Sequence, residues 1–306
     1  MKIYKNIEQN INTRNAVVTV GTFDGVHIGH QVIISRLNEI AKEIGGESVV
    51  ITFTPHPQIV LRPDENIFIL NTEEEKIKLL NFYKIDHLII MPFTPEFAAV
   101  SYIDFIKDVI IEKLHAKKLV IGHDHHFGKN REGMLLHLLE YGKKFNFEVE
   151  EIKVQKINEI AVSSTKIRKA LTDGDIKTAN NLLGYNYSIK AKVVHGNGIG
   201  QNIGFPTANM EIENEHKLLP PFGVYAVEVE FENKIYRGML STGVRPTING
   251  TKRVTEVNIF NFDKNIYSKY LNVSFVERLR DEIKFKGLDE LKKQLTEDKK
   301  NVLKIL

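Results

Sequence analysis

His27 and His30 stand three residues apart in the segment Gly21-Thr-Phe-Asp-Gly-Val-His-Ile-Gly-His30. Val17, Val18 and Val20 before them have the character of a short buried strand, and Gly21 and Gly25 mark a turn. Val32, Ile33, Leu37, Ile40 and Ile44 then recur at helical spacing. Strand, glycine turn and helix aim backbone N–H groups and the positive end of a helix dipole at one point, which suits a phosphate. Two imidazoles on one face of that helix start can hold a polyphosphate and stabilise charge on a departing pyrophosphate. The same pair is also compatible with a solvated turn or with half of a metal site. No Gly-x-x-x-x-Gly-Lys-[Ser/Thr] occurs in the chain, and no Gly-x-Gly-x-x-Gly follows this strand. A P-loop and a dinucleotide fingerprint are therefore excluded.

Two further stretches carry phosphate chemistry. Val162-Ser-Ser-Thr-Lys-Ile-Arg168 enters a short helix that Ser163, Ser164 or Thr165 can cap. Arg168 lies one turn beyond Thr165 on the same side, so hydroxyl and guanidinium can both reach phosphate oxygens. Gly196-Asn-Gly-Ile-Gly-Gln-Asn-Ile-Gly-Phe-Pro-Thr-Ala-Asn209 holds glycines at 196, 198, 200 and 204. Such a loop can approach phosphates closely, or be a plain glycine-rich hairpin. Gln201 fills the last glycine position of a dinucleotide fingerprint, and no helix is expected after it. Thr207 and Asn209 share one side of an extended strand and are suitable oxygen ligands for Mg²⁺. His123, Asp124, His125 and His126 are bunched in a loop without the spacing of a zinc site.

The elements needed to position these groups follow in order. Ser48–Phe53, His87–Met91, Lys118–Ile121 and Glu148–Val154 are expected strands after the first. Helices are expected from Asn71-Thr-Glu-Glu74 to Tyr83, from Ser101 to about Leu114, over Met134–Lys144 and over Asp173–Leu183. Alternating strands and helices imply a parallel, doubly wound sheet. The pattern changes at Gly184-Tyr-Asn-Tyr187. Short strands over Ser188–Val194, Val224–Phe231, Ile235–Leu240, Thr255–Asn261 and Leu271–Arg278 imply a small antiparallel barrel. An amphipathic helix over Gly287–Glu297 ends the pattern. Two domains are expected, residues 1–185 and 186–306.

The chain has 306 residues, 42% hydrophobic and 26% charged, with a net charge of +3 and no cysteine. This is the composition of a soluble globular protein. Disulfides and thiolate chemistry are excluded, and no polyanion partner is implied. The N-terminus lacks a signal-peptide core, and no apolar run of about 18 residues exists. A cytoplasmic protein without nucleic-acid or membrane partners is expected, as a monomer or weak homo-oligomer.

The segment from Gly21 to His30 resembles the His-x-Gly-His signature of the nucleotidyltransferase superfamily. In its TFDGVHxGH form it is similar to the adenylyltransferase half of bacterial bifunctional riboflavin kinase/FAD synthetases. Ser163–Arg168 resembles that family's SSTxIR motif, and Phe205-Pro-Thr-Ala-Asn209 its riboflavin kinase PTAN motif. Pro221–Ala226 resembles its P.GVYA strand, and Ser241–Thr247 its NIGxRPT turn, with Ser241 and Thr242 as departures. The resemblance implies a Rossmann-like nucleotidyltransferase domain followed by a riboflavin kinase barrel. It implies conversion of riboflavin to FMN and of FMN to FAD, with ATP and Mg²⁺. ATP of the adenylyltransferase is then expected at Gly21, Phe23, Asp24, His27, His30, Ser164, Thr165 and Arg168. Flavin is expected there by Pro55 and Pro57, and by Asp124 and Phe127 in a loop where His125 replaces an aromatic. ATP of the kinase is expected at Gly198, Gly200, Gly204, Thr207 and Asn209, with Mg²⁺ on the last two. Glu256 is the implied base of the kinase and, with Arg280, lies by its flavin. Ser268 stands where a glycine is usual. The rivals are an enzyme with one activity and a non-catalytic flavin or nucleotide sensor.

Overall fold

The computed structural model describes residues 1–123, 135–153, 156–157, 160–196, 199–247 and 250–306. It divides into two compact units, Met1–Ser164 and Thr165–Leu306.

The first unit is built on a six-stranded parallel sheet. Its strands are β1 (Lys2–Tyr4), β2 (Val17–Val20), β3 (Ser48–Thr54), β4 (His87–Pro92), β5 (Lys118–Gly122) and β6 (Glu148–Ile152), in the order β1-β4-β3-β2-β5-β6. The edge strand β1 adds to the expected five; three residues are too short to show a period. Side chains of each strand alternate between two cores. Val18, Val20, Val49, Ile51, Ile89 and Leu119 pack with Phe105, Ile106 and Ile110 on one face. Val17, Val50, Leu88, Ile90 and Val120 pack with Ile34, Leu37, Ile40 and Leu80 on the other. The chain leaves β2 towards β3 on one side, and β5 takes the other side of β2. The carboxyl end of β2 is thus the switch point where open α/β sheets hold their ligands.

Several local features differ from expectation. The capping box is Thr72 with Glu75, opening the helix Glu73–Phe82. The segment after Ser101 makes only a short turn, Tyr102–Asp104, before nine residues of π-helix, Phe105–Lys113. Strand β6 ends at Ile152, and a two-residue hairpin, β7 (Lys156–Ile157) with β8 (Ile160–Ala161), follows.

The second unit opens with two helices, Ser164–Asp173 (its first residue closing the first unit) and Ile176–Leu183. A closed barrel follows, of β9 (Ser188–Val194), β10 (Ala208–Glu211), β11 (Gly223–Phe231), β12 (Lys234–Thr247), β13 (Gly250–Ile259) and β14 (Tyr270–Arg280). Neighbours run antiparallel in the order β10-β13-β12-β11-β14-β9. Strand β12 runs past the expected end at Leu240, paired to β13 from Gly238 to Thr247. A short helix, Ile199–Asn202, sits inside the glycine-rich loop, where none was expected. The C-terminal helix is longer than expected, Leu288–Ile305. Its extra turns carry Val302, fully buried with Ile203, Phe205, Ala226, Met239 and Phe260. Asn180 ties the helix Ile176–Leu183 to the barrel: its amide donates to the Phe275 carbonyl at 2.9 Å, and its carbonyl accepts from Tyr187 N–H at 2.8 Å.

Candidate functional site

In the first unit, β2 delivers the turn Gly21–Val26 directly to the start of the helix Ile28–Glu43. His27 caps that helix: its Nδ1 accepts from the His30 N–H at 3.4 Å. In the neutral ring that bond leaves the proton on Nε2. The two imidazoles stack at 3.7 Å with 14° between their planes, and Phe23 tilts against His30 at 5.0 Å. His30 is held well below the ordinary histidine range, first by burial, then by His27 and by the Lys76 ammonium. Its Nδ1 is buried without a hydrogen-bond partner among the described residues. The pair stands at a helix N-terminus, a position suited to an anion.

The loop around the pair is held from below. Asp24 is buried, and its carboxylate accepts from Leu70 N–H at 2.9 Å and from Asn71 N–H at 3.1 Å. The Asp24 carbonyl accepts from Ser164 Oγ at 2.8 Å, which brings the Ser-Ser-Thr motif to the same turn. Gly25, at φ 86°, takes a backbone state that side chains resist. A Cβ on Gly21 would stand 3.2 Å from the Phe23 ring. Thr165 is exposed and Arg168 half-buried on the helix Ser164–Asp173, in the second unit.

Beyond the carboxyl end of β3 lies Thr54-Pro-His-Pro57. His56 caps the helix Pro57–Leu61 by accepting from Gln58 N–H at 3.2 Å. Beside it stands a half-buried aromatic wall: Phe53 meets Phe93 at 5.7 Å and Phe97 at 5.6 Å. Asp124, His125 and Phe127 lie outside the described residues.

In the second unit, the register of β10 on β13 sets Asn209 directly opposite Glu256. Thr207 Oγ1 donates to Glu256 Oε2 at 3.3 Å, leaving the hydroxyl lone pairs for a cation. Val257 and Ile259 are buried in the barrel, as the strand alternation requires. Asn258 donates to the Pro206 carbonyl at 2.6 Å and so fixes the Pro-Thr step. The loop closes tightly. A Cβ on Gly196 would overlap the Asn209 amide at 1.9 Å, and one on Gly200 would meet the Phe205 carbonyl at 2.3 Å. Gly204 has φ 84°. Gly198 lies outside the described residues.

Arg280 has a structural partner. Its Nε and Nη2 grip Asp298 of the C-terminal helix at 3.0 and 2.7 Å, and Asp298 is 2% exposed. Ser268 takes φ 63°, the conformation for which a glycine is usual. Thr242, where an isoleucine is usual, accepts from Arg253 Nε at 3.0 Å and lies beside Thr255. Three groups escaped sequence reasoning: Lys76, the Phe53–Phe93–Phe97 wall and Asn258. Lys76 sits among the charges of a helix with nothing to mark it. Phe93 and Phe97 lie close together just after β4, but Phe53 is distant in sequence and joins them only because β3 runs parallel beside β4.

Fold and clusters together define a nucleotide-handling transferase of two parts, a nucleotidyltransferase-type sheet followed by a kinase barrel. The family model described as FAD synthetase matches residues 9–166, and that described as riboflavin kinase matches residues 183–306. A protein of Buchnera aphidicola subsp. Schizaphis graminum is 38% identical over 97% of this chain and 96% of its own. One of Haemophilus influenzae is 38% identical, covering 93% and 92%. One of Escherichia coli K12 is 34% identical, covering 92% and 90%. Each is named bifunctional riboflavin kinase/FMN adenylyltransferase. The crystal structure of a Streptococcus pneumoniae protein named macrolide-efflux protein has TM-score 0.90 and 33% identity, over 98% of this chain and 97% of that one. Among the described residues no helix is long and apolar enough to cross a membrane. The chain belongs to the bifunctional riboflavin kinase/FMN adenylyltransferase family.

Proposed function

We propose that the chain phosphorylates riboflavin to FMN in the barrel and adenylylates FMN to FAD on the sheet, releasing pyrophosphate. The observation that carries this reading is the pair of phosphate-suited clusters, His27 and His30 over the turn after β2 in the first unit and Thr207, Asn209 and Glu256 at the glycine-rich loop in the second.

In the kinase half, the ribityl hydroxyl attacks the γ-phosphorus of ATP, the bond to the β,γ-bridging oxygen breaks to release ADP, and Glu256 accepts the hydroxyl proton. The loop from Gly196 to Gly204 cradles the phosphates. The donor set of Thr207 Oγ1 and the Asn209 amide oxygen, with a carboxylate alongside, fits Mg²⁺, which keeps water and phosphate oxygens as its other ligands. Those two residues would hold the ion, which when bound supplies charge neutralisation between the phosphates.

In the adenylyltransferase half, an FMN phosphate oxygen attacks the α-phosphorus of ATP and pyrophosphate leaves. The nucleophile is already an anion, so no strong base is needed. His27, His30 and the helix N-terminus stabilise the leaving charge, and the Ser164 hydroxyl, held on the Asp24 carbonyl, stands at the same turn. The flavin ring is assigned to the Phe53–Phe93–Phe97 wall beside Pro55 and Pro57. The domain junction is assigned to residues 185 and 186, just inside the riboflavin kinase match, which begins at residue 183. The direct test is chromatography of the products from riboflavin, ATP and Mg²⁺. FMN is expected first and FAD after it; unchanged riboflavin would overturn the reading.

A further inference from the structure

Lys76 is 8% exposed, in the middle of the helix Glu73–Phe82. Its Nζ donates to the Thr22 carbonyl at 2.7 Å and to Thr52 Oγ1 at 3.3 Å. Thr52, 1% exposed, donates to the same Thr22 carbonyl at 3.1 Å. Among the described residues no carboxylate lies within salt-bridge distance of Lys76. An ammonium without such a partner is costly to bury, and a neutral side chain would fill the space at less cost.

The two bonds act on one peptide unit. The Thr22–Phe23 bond is trans, so its N–H points opposite to its carbonyl. With the carbonyl held by Lys76 and Thr52, the Phe23 N–H is directed to the opposite side, and it makes no backbone hydrogen bond among the described residues. Phe23 itself sits at φ 46°, a state that needs such support, and its ring lies against His30.

We propose that Lys76 is a positioning residue of the adenylyltransferase site, locking the Thr22–Phe23 peptide so that the Phe23 N–H is a fixed donor to a substrate phosphate oxygen. Its positive charge lies under the same turn, where it adds to the field of the helix N-terminus. Lys76 also depresses the pKa of His30, which agrees with a cation close beneath the pair. The inference rests on the reading of His27 and His30 given above.

The test is steady-state FAD formation from FMN and ATP by the full chain carrying Lys76→Met, Lys76→Gln or Thr52→Val, with the thermal melt and the circular-dichroism spectrum of the same preparations, compared with the wild type, as the measure of folding of the first unit. Lys76→Met is expected to lower kcat by about a hundredfold, the usual cost of one preorganised donor, with KM for FMN little changed. Lys76→Gln, a neutral donor, regains about tenfold of that. Thr52→Val, which removes the second bond to the same carbonyl, lowers kcat in the same direction. The proposal is overturned if Lys76→Met and Thr52→Val both keep the wild-type kcat, or if the loss is confined to KM. His30→Ala is run in parallel. If it also leaves FAD formation intact, the site reading itself is wrong; if it abolishes FAD formation while the other variants do not, only the role of Lys76 fails.

Discussion

The first unit holds a histidine kept from its proton. Burial, His27 and Lys76 all lower the pKa of His30. In the unfolded chain the same imidazole takes a proton near pH 6.5, at about its ordinary value. Between the two values the unfolded state binds more protons, so stability rises with pH there. The contribution of His30 is whole above pH of about 6.5 and is lost as pH falls through the folded value. Denaturant midpoints of the wild type and of His30→Asn, measured at pH 7.5 and 5, check this. The wild type is expected to lose more on acidification, and equal losses would contradict the account. The histidines, Thr207, Asn209 and Glu256 were legible in the sequence because phosphate chemistry needs few residue types at fixed spacings. Lys76 was not, since a lysine in a charged helix reads as a solvated face until the fold turns it inward.

Among the elements, the C-terminal helix shows how tertiary contacts set boundaries. Its pattern fades after Glu297, yet Val302 is fully buried and Asp298 is gripped by Arg280. Arg280 thereby fastens the helix to β14. Removing the guanidinium with Arg280→Met leaves a buried carboxylate unpaired, for which the typical cost is about 3–5 kcal/mol. Thermal melts of the riboflavin kinase unit should show the loss; an unchanged Tm with a raised KM for riboflavin would instead make Arg280 a flavin contact. Most strands were legible from their apolar runs, and β12 was underestimated because its far half is held by pairing to β13 rather than by its own pattern. The π-helix Phe105–Lys113 carries the periodicity of an ordinary helix, so sequence spacing has no means to separate the two.

For the whole molecule the question is where one unit ends. The riboflavin kinase family match begins at residue 183, and residues 186–306 include every group assigned to phosphorylation. Yet Asn180 bonds Tyr187 and Phe275, and Lys177 pairs with Glu277 at 2.8 Å. A fragment of residues 165–306 should therefore phosphorylate riboflavin and melt higher than one of residues 186–306. Lost buried hydrogen bonds of this kind cost about 1–3 kcal/mol each. Equal melting of the two fragments would show that the helix Ile176–Leu183 adds nothing to the barrel. Composition and element order made the two-part plan readable, but not this contact, because a single asparagine between two strands far apart in sequence carries no pattern.

The most direct measurement is the product distribution of two variants given riboflavin, ATP and Mg²⁺. His30→Ala is expected to accumulate FMN and form no FAD. Glu256→Gln, losing a base with a typical worth of about 10²–10⁴ in rate, is expected to leave riboflavin unphosphorylated yet still turn added FMN into FAD. Loss of both activities from either single change in a folded protein would contradict two separate sites acting in turn.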